Sequence, residues 1–255
     1  MAKNGYRAVY DAWKADPEGF WLRESDAIDW IRPPATAFDA SLGVYGRWFP
    51  DGLCNTCYNC VDRHVARGRP GQAAIIHDSP VTGTRRTITY AELLREVEAT
   101  AAVLMDHGVE KGDRVIIYMP MIPEAIVAML ACARLGAVHS VVFGGFAAHE
   151  LATRIDDCTP KAIVCASCGL EPGRVIAYKP LVDAAIDEAR HKPACVLVHQ
   201  REQRPAPLDR PGDLDLGALV EAARTAGRAI PCVPVAATDP LYILYTSGTT
   251  GQPKG

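Results

Sequence analysis

The chain has 255 residues, enough to bury one large core or two small ones, and its 49% apolar and 22% charged residues are an ordinary globular balance. A net charge of −3 excludes a polybasic surface, so neither nucleic acid nor an anionic membrane is favoured as a partner. The longest apolar run, 122–135, is interrupted by Glu124 and Arg134 and is too short for a membrane span. Residues 1–20 show no apolar signal core and no Arg/Ser-rich address, and nine cysteines without such a signal read as reduced thiols, so a cytoplasmic location is expected.

In chain order, the first fifty residues read as an aromatic, irregular segment. They hold all four tryptophans, Trp13, Trp21, Trp30 and Trp48, and prolines at 17, 33, 34 and 50 interrupt any long helix. Such a segment is expected to lie across a larger body and anchor itself by its rings. Residues 51–68 form a helix candidate. Residues 73–90 read as two strands around a Pro/Gly turn. Thr89 with Glu92 is a capping box, and the helix it opens carries Leu93, Leu94, Val97, Ala101 and Leu104 on one side and ends at Gly108. Residues 114–119, RVIIYM, are nearly continuously apolar, as in a buried parallel strand. Pro123 opens the next helix and Gly136 closes it. A strand at 137–143, a helix near 147–157, strands at 161–166 and 195–199 with a helix near 179–191 between them, an exposed Pro-rich loop at 200–213, a helix near 214–226 and a strand at 241–246 follow.

This alternation predicts an α/β fold of parallel sheets flanked by helices, behind the aromatic-rich extension. Ligands gather at the carboxyl ends of such strands. Three glycine-bearing loops stand there: FGGF (143–146), ASCGLEPGR (166–174), and YTSGTTGQPKG (245–255).

The cysteines could suggest a metal. Cys54, Cys57 and Cys60 have C-x-x-C-x-x-C spacing, and Cys165 with Cys168 supplies another C-x-x-C. Yet Cys54, Cys57, Val61 and Val65 form one helical stripe, Asp62-Arg63-His64 stands where a further cluster cysteine would fall, and the second pair is far outside zinc-ribbon spacing. Core packing is therefore expected, and no metal ligand is assigned. Asp156-Asp157 reads as a solvated helix end, because adjacent residues on a helix do not face each other.

The terminal loop has the composition of a phosphate cradle: glycines for close backbone approach, hydroxyls as donors and one lysine. Its spacing fits neither G-x-x-x-x-G-K-[ST] nor G-x-G-x-x-G, and no G-x-S-x-G surrounds Ser247. It does resemble the nucleotide-phosphate loop of the adenylate-forming superfamily at all eleven positions, Gln252 falling where that pattern is free. The resemblance implies that Thr246, Ser247, Gly248, Thr249, Thr250 and Gly251 hold the β- and γ-phosphates of ATP, accompanied by Mg²⁺, and that Lys254 offsets their charge.

YDAWKADPEGFW, LCNTCYNCVDRHV, the run from ITYAELL to VVFGGF, and DPLYILYT resemble the short-chain acyl-CoA synthetases of the acetyl/propionyl type. The likeness implies an N-terminal extension over 1–60 and an incomplete AMP-binding domain over 61–255. In that family a loop often written Arg-x-Gly-Arg contacts the nucleotide end of coenzyme A. Here it reads Glu171-Pro172-Gly173-Arg174. Arg174 matches the second arginine and suits a phosphate, while Glu171 replaces the first and cannot pair with one. This form is closer to the propionyl branch, so propionate is expected as the acid, with acetate second. Gly144 and Gly145 either let coenzyme A pass close to the backbone or simply make a tight turn. Family members continue well past the phosphate loop, so the chain is expected to carry phosphate- and CoA-contacting pieces with no catalytic residue of its own. A non-catalytic CoA- or nucleotide-binding module is the other reading. Nothing in the sequence specifies an oligomeric state.

Overall fold

The computed structural model describes residues 5–246 and 255. It opens with two helices, α1 (Gly5–Ala15) and α2 (Pro17–Glu24), where an irregular segment was expected. Pro17 starts a helix instead of breaking one, because its missing N–H is not needed at the first helical position, and the Asp16 side chain caps that helix by accepting the Gly19 N–H at 3.0 Å. Short pairs follow: β1 (Phe38–Asp39) runs antiparallel to β2 (Arg47–Trp48), and β3 (Leu53–Cys54) comes next. The rings do hold the extension together, with Trp48 at 5.7 Å from Trp21 and 4.9 Å from Phe38 between centroids. Its attachment to the body is also polar. The buried Asn55 donates to the carbonyls of Ala133 and Val233, each at 2.9 Å.

The helix expected over 51–68 begins late. Leu53 and Cys54 are drawn into extended backbone by antiparallel pairing with residues 235–236. A π-helical turn, Tyr58–Asp62, then runs into α3 (Arg63–Ala66). Cys54 is therefore off the helix, Cys57 and Val61 are fully buried, and Cys60 is exposed.

Next come the hairpin β4 (Ala73–Ser79) and β5 (Thr84–Thr89), then α4 (Tyr90–Asp106) with its capping box formed: Glu92 N–H donates to Thr89 Oγ1 at 3.3 Å and Thr89 N–H to Glu92 Oε2 at 2.7 Å. β6 (Arg114–Met119), α5 (Pro123–Leu135), β7 (Val138–Phe143), α6 (Ala148–Cys158) and β8 (Ala162–Ala166) follow within a residue or two of expectation. The segment 166–174, expected as a loop, instead enters a hairpin of β9 (Cys168–Glu171) and β10 (Arg174–Ala177). Its two-residue turn is Pro172-Gly173, with Gly173 at φ +78°, the conformation a type II turn demands of glycine after proline. α7 (Lys179–Glu188), β11 (Cys195–His199), β12 (Asp213–Asp215), α8 (Leu216–Thr225) and β13 (Val235–Ala236) complete the elements of the described residues.

The central sheet is parallel and five-stranded, in the order β12-β11-β8-β6-β7. β6 and β8 are buried almost throughout, which explains why both read as unbroken apolar runs. From β6 the chain moves outward to β7, then crosses back to β8 and continues to β11. Right-handed crossovers in opposite directions place their helices on opposite faces, and α5 packs with α4 while α6 packs with α7. The connections leaving β6 therefore diverge from those leaving β7 and β8, and in sheets of this kind ligands bind at the carboxyl ends of the strands beside such a divergence.

Of the strand expected at 241–246, the described residues show a parallel bridge beside β7: His139 N–H donates to the Leu241 carbonyl at 3.3 Å, and Ile243 N–H to the His139 carbonyl at 2.9 Å. Tyr242 and Leu244 are 56% and 66% exposed. Asp156 and Asp157 are not merely solvated. Asp156 accepts from His191 N–H at 2.9 Å and Arg190 Nε at 3.1 Å, and Asp157 accepts the Tyr245 hydroxyl at 2.6 Å. No helix among the described residues is long and apolar enough to cross a membrane.

Candidate functional site

The carboxyl end of the sheet is built first from β6. Tyr118, next to last in that strand, is fully buried. Its hydroxyl donates to the Phe146 carbonyl at 2.8 Å and accepts the Gly145 N–H at 3.0 Å, so one side chain pins the FGGF turn. Burial pushes this phenol up to about 12, which keeps the proton that the Phe146 bond requires.

β8 and the hairpin supply the second wall. Tyr178, at the junction of β10 and α7, lays its ring against both glycine loops. A Cβ on Gly144 would stand 2.8 Å from Tyr178 Cζ, and one on Gly169 would stand 2.6 Å from Tyr178 Cε1. These glycines are therefore required by close approach of a protein ring, which is a structural reason for Gly144 independent of any ligand.

At the hairpin tip, Arg174 donates through Nε and Nη2 to Glu171 Oε2 at 2.7 and 2.6 Å. The carboxylate that replaces the family's first arginine thus holds the second. A guanidinium has five N–H groups, so donors remain for an anion, and both side chains are open to solvent. The tip and the Pro80–Thr84 turn of the first hairpin wall a groove of about 830 Å³.

The third part is the approach to the YTSGTTGQPKG segment. Thr246 is described, whereas Ser247, Gly248, Thr249, Thr250, Gly251 and Lys254 lie outside the described residues. Just before them, the Tyr245 ring rests on Arg154, whose guanidinium carbon is 5.4 Å from its centroid and 5.2 Å from that of Phe146. Arg154 is 8% exposed and is held by Glu150 at 2.9 Å. It links a residue of the FGGF turn to Tyr245, the first residue of the YTSGTTGQPKG segment. Sequence reasoning missed Tyr118, Tyr178 and Arg154. The one available signal was an aromatic or charged residue interrupting an apolar strand or helix face.

The cysteines do not assemble as C-x-x-C-x-x-C. Cys57, Asp62 and Cys232 bring their ligand atoms within 4.8 Å of one another, but the Arg134 guanidinium already occupies the cluster, donating to both oxygens of Asp62 at 3.0 and 2.9 Å and to Cys57 Sγ at 3.6 Å. A fixed cation there opposes a second one.

Residues 62–255 match the family model described as AMP-binding enzyme, and residues 6–60 match the one described as acetyl-coenzyme A synthetase N-terminus. The chain belongs to the AMP-binding enzyme family. An uncharacterized protein of Pseudomonas aeruginosa is 54% identical over 94% of this chain and 38% of its own length. Human acyl-CoA synthetase short-chain family member 3, mitochondrial, is 48% identical over 98% of the chain and 36% of its own length. The propionate–CoA ligase of Salmonella typhimurium is 44% identical over 94% of the chain and 38% of its own length. The chain thus spans little more than a third of the curated relatives it matches. In this AMP-binding enzyme Tyr178 brings the glycine turn and the base of the hairpin together, and Arg154 joins that turn to Tyr245.

Proposed function

We propose that the intact protein is an AMP-forming short-chain acyl-CoA synthetase with propionate as its preferred acid. A carboxylate oxygen attacks the α-phosphorus of ATP, forming an acyl-adenylate and releasing pyrophosphate. The coenzyme A thiol then loses its proton and attacks the acyl carbonyl, forming the thioester and releasing AMP. The observation that carries this reading is the eleven-residue YTSGTTGQPKG loop, which follows the segment bridged to β7. Thr246, Ser247, Gly248, Thr249, Thr250, Gly251 and Lys254 hold the ATP phosphates, with Mg²⁺ as their counter-ion, and catalysis here is positioning and charge stabilisation. Arg174 takes a phosphate of coenzyme A, with Glu171, Pro172 and Gly173 shaping the tip and Gly144 and Gly145 bordering the approach. The residues 1–60 act as the extension of the acetyl-CoA synthetase type and 61–255 as part of the AMP-binding domain. The partners are small molecules, and nine free thiols support action in the cytoplasm.

Propionate is supported by the Glu-Pro-Gly-Arg tip and by the name of the Salmonella relative. Acetate is the second reading, favoured by the match of residues 6–60. Trapping the adenylate with hydroxylamine over acetate, propionate and butyrate tests the choice. Propionohydroxamate should form fastest, and a strong preference for acetate would reverse the assignment.

A further inference from the structure

We propose that Tyr178 is a positioning residue for coenzyme A: its ring locks the Gly144–Gly145 turn and the Glu171–Arg174 hairpin into one surface. The proposal rests on the reading that these two segments receive coenzyme A.

Tyr178 is fixed at both ends. Its N–H donates to the Ser167 carbonyl at 3.0 Å, and its own carbonyl accepts from Leu181 and Val182 at 3.0 Å each as α7 begins. The ring, 4% exposed, lies where side chains on Gly144 and Gly169 would otherwise be, so it fills the space between the end of β7 and the base of the hairpin. It also packs on Tyr118, with centroids 5.1 Å apart at 58°, and Tyr118 is the side chain that grips Gly145 and Phe146. At the hairpin base, Arg201 donates to the Cys168 carbonyl at 3.1 Å and its N–H donates to Ser167 Oγ at 2.8 Å. The two candidate coenzyme A segments thus share no direct hydrogen bond among the described residues and meet through one aromatic wedge.

The Tyr178 hydroxyl makes no hydrogen bond among the described residues, so the ring and not the hydroxyl does the positioning. Without the wedge, the turn and the hairpin shift independently, and a ligand that touches both must order them on binding. Tyr178 meets the FGGF turn at Gly144, whereas Arg154 and Tyr245 meet it at Phe146, whose carbonyl Tyr118 holds, so loss of the wedge should affect coenzyme A far more than adenylation.

The test uses the intact protein with Tyr178→Leu, Tyr178→Phe and Arg174→Ala. Thioester formation is followed against coenzyme A concentration, and carboxylate-dependent ATP–pyrophosphate exchange is measured without coenzyme A. Tyr178→Leu should raise the KM for coenzyme A tenfold or more and leave exchange within twofold, while Tyr178→Phe should restore the wild-type KM. An unchanged KM in Tyr178→Leu overturns the proposal, as does an equal loss in both reactions or a failure of phenylalanine to rescue. If Arg174→Ala raises the KM while Tyr178→Leu does not, the wedge fails and the coenzyme A reading stands. If Arg174→Ala leaves the KM unchanged, that reading of the hairpin fails. Should Tyr178→Leu not fold, Gly169→Ala displaces the ring from below and must raise the same KM with exchange retained, and an unchanged KM there overturns the proposal equally.

Discussion

Arg154 carries the ring of Tyr245 on its guanidinium, 5.4 Å from carbon to centroid, and the same group lies 5.2 Å from the centroid of Phe146. A buried cation between two rings is worth about 1–2 kcal/mol. Arg154→Met keeps much of the volume and removes that attraction. It should raise the KM for ATP in pyrophosphate exchange about five- to thirtyfold, the equivalent of that energy, with a smaller change in turnover. An unchanged ATP dependence would separate Tyr245 from the loop that follows it.

Arg134 is the main buried charge on the opposite face. It is 3% exposed and meets Asp62 at 2.9 Å and Glu98 at 3.0 Å, residues distant in the chain. Arg134→Met leaves two half-buried carboxylates without their cation. Breaking such a group costs about 3–5 kcal/mol, which urea denaturation should register as a lower midpoint. Removing all three charges together, with Asp62→Asn and Glu98→Gln added, should recover part of the loss, because the desolvation of the carboxylates disappears as well.

His139 sets a pH dependence. Burial pushes its imidazole down to about 4 from 6.5, and its Nδ1 has no hydrogen-bond partner among the described residues. The folded state therefore holds it neutral where the unfolded state binds a proton. Stability is full above pH 6.5 and falls as the pH drops through that value toward 4, by about 3 kcal/mol in all. His199, lowered by burial, adds in the same direction. His139→Leu should flatten the stability curve between pH 6.5 and 4, and an unaltered slope would place the titration elsewhere.

Thiol accessibility tests the core assignment. Cys60 is exposed, Cys54 and Cys232 are half-buried, and the other six cysteines are buried. A thiol reagent should label Cys60 first, two more slowly, and the rest only on unfolding. Metal analysis of the purified protein should find zinc and iron below stoichiometry, since Arg134 already sits on Asp62 and Cys57. One equivalent of either metal would contradict the packing role of these cysteines.

The central elements were legible because their signals are local and redundant. β6 and β8 read as apolar runs, and α4 and α5 carried their capping box and terminal proline in the sequence. The departures are places where a distant partner decides the backbone. Leu53 and Cys54 could continue a helix but are held extended by β13, far away in the chain. Pro17 was read as a breaker because its role depends on the cap at Asp16. The Pro172-Gly173 pair signals a turn, yet the strands on each side are only four residues long and mixed in polarity, too short for periodicity to show. In the candidate site, Arg174 was visible as a motif position. Its pairing with Glu171, and the wedge formed by Tyr178, depend on the fold and could not be seen before it.

The most direct test of the central claim is the product pattern of the intact protein given ATP, Mg²⁺, propionate and coenzyme A. The account predicts AMP, pyrophosphate and propionyl-CoA in equal amounts, and with coenzyme A omitted, propionate-dependent exchange of pyrophosphate into ATP. Release of ADP and phosphate instead, or exchange that does not depend on a carboxylate, would contradict it.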